Sequence, residues 1–278
     1  MRTLSVPAPA KLNLFLHVTG RRADGYHLLE SLMVALDFGD TVSLVCRDDG
    51  AIVRTRDIEG VAAADDLAMR AAHALKQQSA CAAGVEIAID KRIPQGGGLG
   101  GGSSDAASVL IALNALWGLH LPRATLARVG AALGADIAFF LGDGPALAHG
   151  IGERLTPMSQ PPIWIALIVP PVHVPTAAIF SARELTRDTP SAKINVFSES
   201  YGRNDLETIA AARYPDVAEA LARLAARSNA ARMTGSGACV FAPFTAEADA
   251  RAACADVPAR MRGIVARTLA RHPLATLT

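Results

Sequence analysis

A glycine-rich segment near the middle of the chain, GGGLGGG at residues 96–102, limits the possible folds more than any other feature. It follows a segment with strand character, VEIAIDKRIP at 85–94, and precedes a long apolar one, SSDAASVLIALNALWGL. Glycine loses more backbone entropy on folding than other residues, so an ordered run of glycines indicates a structural or functional requirement for bare backbone. A flexible surface linker is one interpretation, but linkers rarely separate a strand from a buried helix. We therefore predict a loop whose bare N–H groups bind phosphate, beside the positive end of a helix dipole.

Three well-known phosphate-binding patterns do not match this loop. A Walker A loop requires Lys and then Ser or Thr after its last glycine, whereas Gly102 is followed by Ser103 and Ser104. A Rossmann loop requires an acidic residue about twenty positions further on in a βαβ unit. Residues 106–135 contain no Asp or Glu. A protein-kinase loop is followed by a strand lysine and an HRD segment, and neither is present.

The order of apolar and polar residues predicts an α+β fold. Segment 11–18, KLNLFLHV, alternates as a strand with one buried face would, and the first sixty residues have the pattern of a β-meander. The segment after the glycine loop predicts a buried helix with a serine or aspartate N-cap. Strands and helices then mix without strict βαβ alternation. A chain of 278 residues favours about two domains, and PMSQPP at 157–162 is the best linker between them.

Charge and cysteine usage exclude several classes of function. Lysine and arginine number 27 against 26 acidic residues, a balance that argues against a general nucleic-acid or membrane-surface binder. The four cysteines lie far apart and predict reduced thiols. The longest apolar run, IWIALIV at 163–169, is too short to cross a bilayer. We expect a cytoplasmic protein with no nucleic-acid or membrane partner, and the sequence does not predict its oligomeric state.

Three motifs in the same order resemble those of the GHMP family of small-molecule kinases, which includes galactokinase, homoserine kinase and mevalonate kinase. They are PAPAKLNLFL at 7–16, the loop P-x-G-G-G-L-G-G-G-S-S at 94–104, and TGSGACVF at 234–241. The resemblance implies a two-domain GHMP-kinase-like fold with the active site in the interdomain cleft. An N-terminal ATP-binding and catalytic domain would span residues 1–157, and a C-terminal substrate-binding domain residues 158–278.

The same resemblance implies the catalytic residues and the ATP contacts. Lys11 would stabilise the reacting oxygens, and Asp136 would face the acceptor hydroxyl as a base or as an orienting group, although Asp136 is also a candidate helix cap. The triphosphate contacts would be Pro94, Gln95, Gly96, Gly97, Gly98, Leu99, Gly100, Gly101, Gly102, Ser103 and Ser104, the serines being alternative helix caps. Mg²⁺ is expected with ATP, but no carboxylate cluster indicates a protein ligand for it.

Two further segments, GRRADGYHLLESLM at 20–33 and GADIAFFL at 134–141, most resemble a branch of the family with a cytidine diphosphate substrate. That branch serves the non-mevalonate route to isoprenoid precursors. Tyr26 and Phe180 would sandwich the cytosine, and His27 would bind its edge. Asn13 and Thr176 are further substrate-binding candidates. The family commonly has Asn-Leu near the start of the helix at 65–78, and this chain has Asp66, which we leave out of the site.

Two alternatives stay open at this point. Another GHMP kinase with a small acceptor, such as homoserine or mevalonate, would have no use for a ring-stacking pair of aromatic residues. A nucleotide-binding regulator without turnover would be expected to lack Lys11 or Asp136. For the loop itself, we expect valine at Gly98 or Gly101 to abolish ATP binding and to leave the fold largely intact.

Overall fold

The computed structural model describes residues 2–192 and 202–277 and contains two β-sheets, each covered by helices. Within these ranges, the strands of the first sheet are β1 (Thr3–Arg21), β2 (His27–Arg47), β3 (Ile52–Arg54), β4 (Gly84–Asp90), β5 (Ala146–Gly150) and β6 (Arg154–Pro157). The second sheet comprises β7 (Trp164–Val169), β8 (Arg232–Met233), β9 (Val240–Phe244) and β10 (Arg262–Arg267). Helices and sheets are therefore mixed as an α+β fold requires.

The first sheet is organised around the long strand β2. Strand β1 pairs with β2 antiparallel from Thr3 opposite Val45 to Arg21 opposite His27. Strands β4 and β5 pair with different halves of β2. The meander predicted for the first sixty residues is wrong in one respect. Strand β3 does not follow β2 in the sheet but pairs parallel with β4, which comes about thirty residues later and separates β3 from β2.

Strand β1 is buried on both faces between Lys11 and Val18, so the prediction of one solvent-facing side is wrong. The alternation in the sequence instead separates apolar side chains from buried polar ones such as Asn13 and His17. The core consists of three apolar clusters, and the second and third of them hold the apolar side chains of this segment. The third cluster combines β1 and β2 residues, including Leu14 and Val34, with residues of the second sheet such as Leu167. The two sheets thus share a core along β1, and polar groups buried there have to be paired.

Four helices accompany each sheet in the described part of the chain. The first group is α1 (Leu67–Ser79), α2 (Gly101–Leu116), α3 (Arg123–Ala131) and α4 (Ala135–Phe140). The second group is α5 (Thr176–Phe180), α6 (Glu207–Arg213), α7 (Pro215–Ala225) and α8 (Glu247–Ala255). Helix α2 is almost wholly buried, as predicted. None of the helices in these ranges is long and apolar enough to cross a membrane.

The boundary between residues 157 and 158 stays a prediction. Strand β6 ends at Pro157 in the first sheet, and β7 begins at Trp164 in the second. The segment after β10, however, returns to the first sheet. There the Leu269 N–H donates to the Ala35 carbonyl (2.8 Å), and Leu274 joins the first apolar cluster. The four cysteines are all free thiols.

Candidate active site

Lys11 is almost fully buried on β1, and its ammonium group is aimed at two polar partners. Lys11 Nζ donates to Asn13 Oδ1 at 2.5 Å and lies 3.9 Å from Asp136 Oδ2. Burial lowers the pKa of Lys11, and the negative charge of Asp136 opposes this. A compact positive charge held next to a carboxylate in a dry environment can stabilise negative oxygens that enter the site.

Asp136 belongs to the first turn of α4 but does not cap it. The N-cap residue is Gly134, whose position carries no side-chain capping hydrogen bond, so the capping role considered from the sequence is wrong. The Asp136 side chain is 41% exposed and lines a cavity of about 260 Å³ together with Lys11 and Asn13. The carboxylate is therefore accessible to a ligand.

The glycine loop ends in α2, and the helix begins inside the glycine run. Gly100 is the N-cap and Gly101 the first helical residue, with no side-chain cap, so the predicted serine or aspartate cap is wrong. Gly96, Gly98 and Gly100 have positive φ angles of 68°, 78° and 71°. Left-handed residues at alternate positions can turn successive N–H groups toward one side, which is the backbone arrangement of anion-binding concavities.

A cavity of about 370 Å³ lies along this loop. The predicted phosphate contacts that line it are Pro94, Gln95, Gly96, Gly97, Gly98, Leu99, Gly100, Gly101, Gly102 and Ser103. Ser104 does not line it. Its side chain is fully buried, and its Oγ has no hydrogen-bond partner among the described residues. Contact between Ser104 and ATP stays a prediction.

The third motif packs directly against this loop and against β1. The Cys239 N–H donates to the Gly97 carbonyl (3.2 Å), and the Gly235 N–H donates to Asn13 Oδ1 (3.1 Å). The Asn13 N–H donates to Thr234 Oγ1 (2.9 Å), and the Asn13 side chain also donates to Ser31 (2.7 Å). Every polar atom of the Asn13 side chain is thus bonded to protein, and Asn13 links the first motif to the third.

Four of the residues predicted to bind the substrate line one cavity of about 550 Å³. They are Tyr26, His27, Thr176 and Phe180. The rings of His27 and Phe180 lie 5.1 Å apart between centroids, tilted by 33°. Tyr26 is 61% exposed, which is unusual for a large aromatic side chain and argues against a core role. Thr176 Oγ1 lies 2.7 Å from Ser236 Oγ, next to the third motif.

The three cavities adjoin one another. The cavity beside Lys11 shares Gly98 and Gly100 with the glycine-loop cavity, and it shares Thr176 and Phe180 with the aromatic cavity. Lys11 and Asp136 therefore stand between the glycine loop and an aromatic pocket. This arrangement suits a reaction between a phosphate-bearing ligand and a second ligand that contains a ring.

An ion-pair cluster beside the loop was not foreseen from the sequence. Lys91 Nζ donates to Asp40 (2.5 Å) and to Asp105 (2.7 Å), and Lys91 and Asp105 line the glycine-loop cavity. Burial raises the pKa of Asp105 to about 7, and Lys91 opposes this shift. The only sequence signal was the basic pair Lys91-Arg92 immediately before the loop.

Asp66 also lines the glycine-loop cavity, although its side chain is already occupied. It caps α1 by accepting from the Ala68 N–H (2.9 Å) and pairs with Arg54 (3.2 Å). Among the described residues, no group of three or more His, Cys, Asp or Glu side chains could hold a metal ion. Any Mg²⁺ here would depend largely on phosphate oxygens and water for its ligands, as Mg²⁺ commonly does.

Comparison with known proteins agrees with this geometry. The model of the GHMP kinase N-terminal domain matches residues 66–144, and that of the C-terminal domain matches residues 182–263. The chain belongs to the GHMP kinase family. In this family the chain is 55% identical over 274 residues to the 4-diphosphocytidyl-2-C-methyl-D-erythritol kinase of Ralstonia pickettii, covering 97% of this chain and 95% of that protein. The enzyme of the same name from Thiobacillus denitrificans is 54% identical, with 96% of each chain covered.

Solved structures of GHMP kinases have the same fold. A crystal structure of 4-(cytidine 5'-diphospho)-2C-methyl-D-erythritol kinase superposes with a TM-score of 0.83 at 34% identity and covers 95% of this chain and 99% of that one. Homoserine kinase from Cytophaga hutchinsonii superposes with a TM-score of 0.72 at 18% identity, covering 98% and 96% of the two chains. The second likeness concerns the fold alone. The GHMP kinase fold predicted from the three motifs is confirmed.

Proposed function

We propose that this chain transfers the γ-phosphate of ATP to a hydroxyl group of 4-diphosphocytidyl-2-C-methyl-D-erythritol, a step toward isoprenoid precursors. The observation that carries this assignment is the continuity of the three cavities, with Lys11 and Asp136 at the middle one. Relatives above 50% identity over nearly the whole chain are kinases of this compound by name. A small acceptor such as homoserine or mevalonate would leave the aromatic pocket unused, so that alternative is not favoured.

ATP would bind with its phosphates on the glycine loop. The left-handed glycines and the N-terminus of α2 supply N–H groups and a positive dipole end, both suited to phosphate. Mg²⁺ would accompany the phosphates and neutralise part of their charge, held chiefly by phosphate and water. The domain up to residue 157 would thus carry ATP and the catalytic pair, and the domain from 158 would complete the acceptor site.

The reaction itself would occur between Lys11 and Asp136. The acceptor hydroxyl oxygen bonds to the γ-phosphorus, the bond from that phosphorus to the oxygen of ADP breaks, and the hydroxyl proton passes to the Asp136 carboxylate. The Lys11 ammonium, 3.9 Å from that carboxylate, would offset negative charge on the reacting oxygens. Phosphoryl transfer has a loose transition state, so the positions of these groups matter more than the strength of the base.

The cytidine end of the acceptor would occupy the aromatic pocket. Tyr26 and Phe180 both line this pocket and would stack on the base, and Thr176 lines both this pocket and the cavity beside Lys11. Asn13, which already has four hydrogen bonds to protein, would act by holding Lys11 and the third motif in place.

A direct test measures ADP release with purified protein, ATP and Mg²⁺ against three acceptors: the cytidine compound, homoserine and mevalonate. We expect turnover with the cytidine compound alone, and a phosphorylated product detectable by mass spectrometry. Asp136→Asn serves as the control for contaminating kinases, since its product signal should nearly vanish. Turnover of mevalonate or homoserine with no turnover of the cytidine compound would refute the assignment.

A further inference from the structure

Arg187, which no motif pointed to, makes an unusual contact with a residue of the aromatic pocket. Its Nε–H donates to His27 Nε2 at 3.0 Å, across 160 positions of sequence. The rest of its guanidinium donates to three backbone carbonyls, those of Leu185 (3.0 Å), Phe180 (3.3 Å) and Ala182 (2.7 Å). With four hydrogen bonds its position is fixed, and it fastens the segment that carries Phe180 to the strand that carries His27.

This contact decides which nitrogen of His27 bears the proton. Arginine has only donors, so the nitrogen that faces it has to be the unprotonated one. A neutral imidazole then carries its hydrogen on Nδ1, which makes Nδ1 a donor and not an acceptor. Burial, together with the positive charges of Arg187 and Arg21, lowers the pKa of His27 and disfavours a second proton.

The Nδ1–H donor belongs to a ring that lines the aromatic pocket beside Phe180. Cytosine and uracil have the same size and stack equally well, but their edges differ. Position 3 of cytosine is a hydrogen-bond acceptor, whereas position 3 of uracil is an N–H donor. A fixed N–H donor in the pocket can bond to position 3 of cytosine. Against uracil it would face another N–H donor, and two donors that face each other without an acceptor are costly.

We propose that Arg187 is a positioning residue that holds His27 as the Nδ1–H tautomer and thereby makes the pocket select cytosine over uracil. This inference rests on the proposed function for its substrate, but the tautomer itself does not depend on any substrate. The tautomer assignment and the proposed substrate can therefore be refuted separately.

The first test is a nitrogen-15 NMR measurement of the imidazole of His27 in the intact chain, with the resonance assigned by its loss in His27→Ala. The wild-type protein should show a protonated Nδ1 and an unprotonated Nε2 at neutral pH. Arg187→Ala should shift the ring toward the Nε2–H form, which is the more common one in free histidine. A wild-type ring that is already protonated on Nε2 would overturn the proposal with no variant needed.

Arg213→Ala is the matched control for loosening of the same segment. Arg213 donates to the Ala178 carbonyl (3.0 Å) and pairs with Glu184 (3.5 Å), so it also holds α5 but does not touch His27. It should leave the tautomer unchanged. A tautomer shift in this variant equal to that in Arg187→Ala would mean that Arg187 acts only by general packing, which would also refute the proposal.

The second test compares kcat/KM for the cytidine acceptor and for its uridine analogue. Arg187→Ala should reduce the preference for cytidine about tenfold, the effect of losing one hydrogen bond between His27 and the base. Arg213→Ala should keep the wild-type ratio. In a His27→Ala background, the Arg187 substitution should no longer change the ratio, because the group through which Arg187 acts is gone. An unchanged ratio in Arg187→Ala alone would refute the proposal. No turnover of the cytidine compound by wild type would instead refute the proposed function.

Discussion

Alanine at Gly98 should weaken ATP binding because the loop cannot keep its shape around a side chain. The φ angle of Gly98 is +78°, in the left-handed region. A Cβ atom there would lie 2.4 Å from the Thr234 carbonyl oxygen and 3.2 Å from that of Gly237, whereas ordinary contacts begin at 3.4 Å. The loop or the third motif would have to move by about 1 Å, the difference between 3.4 and 2.4 Å. Both partners are backbone, so neither can give way by rotating a side chain.

The magnitude follows from two costs. A non-glycine residue in the left-handed region costs about 1–2 kcal/mol, and overpacking a tight contact costs about 1–3 kcal/mol. Together they amount to at least about 2 kcal/mol, or roughly thirtyfold in ATP affinity if ATP requires the loop in its present shape. Gly102 provides the control, since a Cβ there meets only Leu67 Cδ1 at 3.7 Å. Gly102→Ala should change ATP affinity by less than about threefold, well below a tenfold step.

Isothermal titration calorimetry of ATP binding to both variants would check this, with circular dichroism to confirm folding. Equal ATP affinity in Gly98→Ala and wild type would refute the requirement for this loop shape. An equal loss in Gly98→Ala and Gly102→Ala would mean that added bulk, and not backbone geometry, is responsible. The expectation that valine at Gly98 leaves the fold largely intact stays a prediction, and its Cβ would require the same local shift of the loop or the third motif as that of alanine.

Three further predictions follow from the site and the core. Asp136→Asn should lower kcat by about 10²–10⁴ with little change in KM, since the amide cannot accept the proton; near wild-type kcat would place the base elsewhere. Tyr26→Ala and Phe180→Ala should each raise the KM for the cytidine acceptor about tenfold and leave the KM for ATP unchanged, because stacking is worth about 1–3 kcal/mol per base; a matching rise in the KM for ATP would contradict separate sites. Burial of His272 lowers its pKa from 6.5 to about 4, so the folded state resists protonation of this ring. The stability that neutral His272 contributes is present above pH 6.5 and is lost as the pH falls toward 4. In urea titrations His272→Asn should reduce that loss by about 2–3 kcal/mol, and an unchanged pH profile would show that other groups cause it.

Much of the candidate active site could be predicted from local sequence. The glycine run implied left-handed backbone, because only glycine adopts it freely, and Gly96, Gly98 and Gly100 do adopt it. The prediction that Lys11 and Asp136 act together came from the resemblance of short motifs to those of the GHMP kinases. The buried helix after the loop followed from its apolar composition, since a segment without charges has to be covered.

Other predictions were wrong because the deciding contacts lie far apart in sequence. The two serines and the aspartate at 103–105 have the composition of a helix cap, yet α2 begins at Gly101, where the loop packs against the third motif. The alternation of KLNLFLHV indicated one exposed face. The third motif covers part of that face, where the buried Asn13 is paired with Thr234 and with Gly235, 222 positions away.

The sequence by itself determined most of the strands and helices, where the backbone turns left-handed, and which loop we predict to bind phosphate. These properties depend on period, on the absence of a Cβ, and on residue types within about ten positions of one another. Only the tertiary structure decided that β3 pairs with β4, that the three motifs meet, and that Arg187 faces His27. Such contacts depend on how buried surfaces fit together, and a donor acquires its acceptor only when the packed core brings the two together.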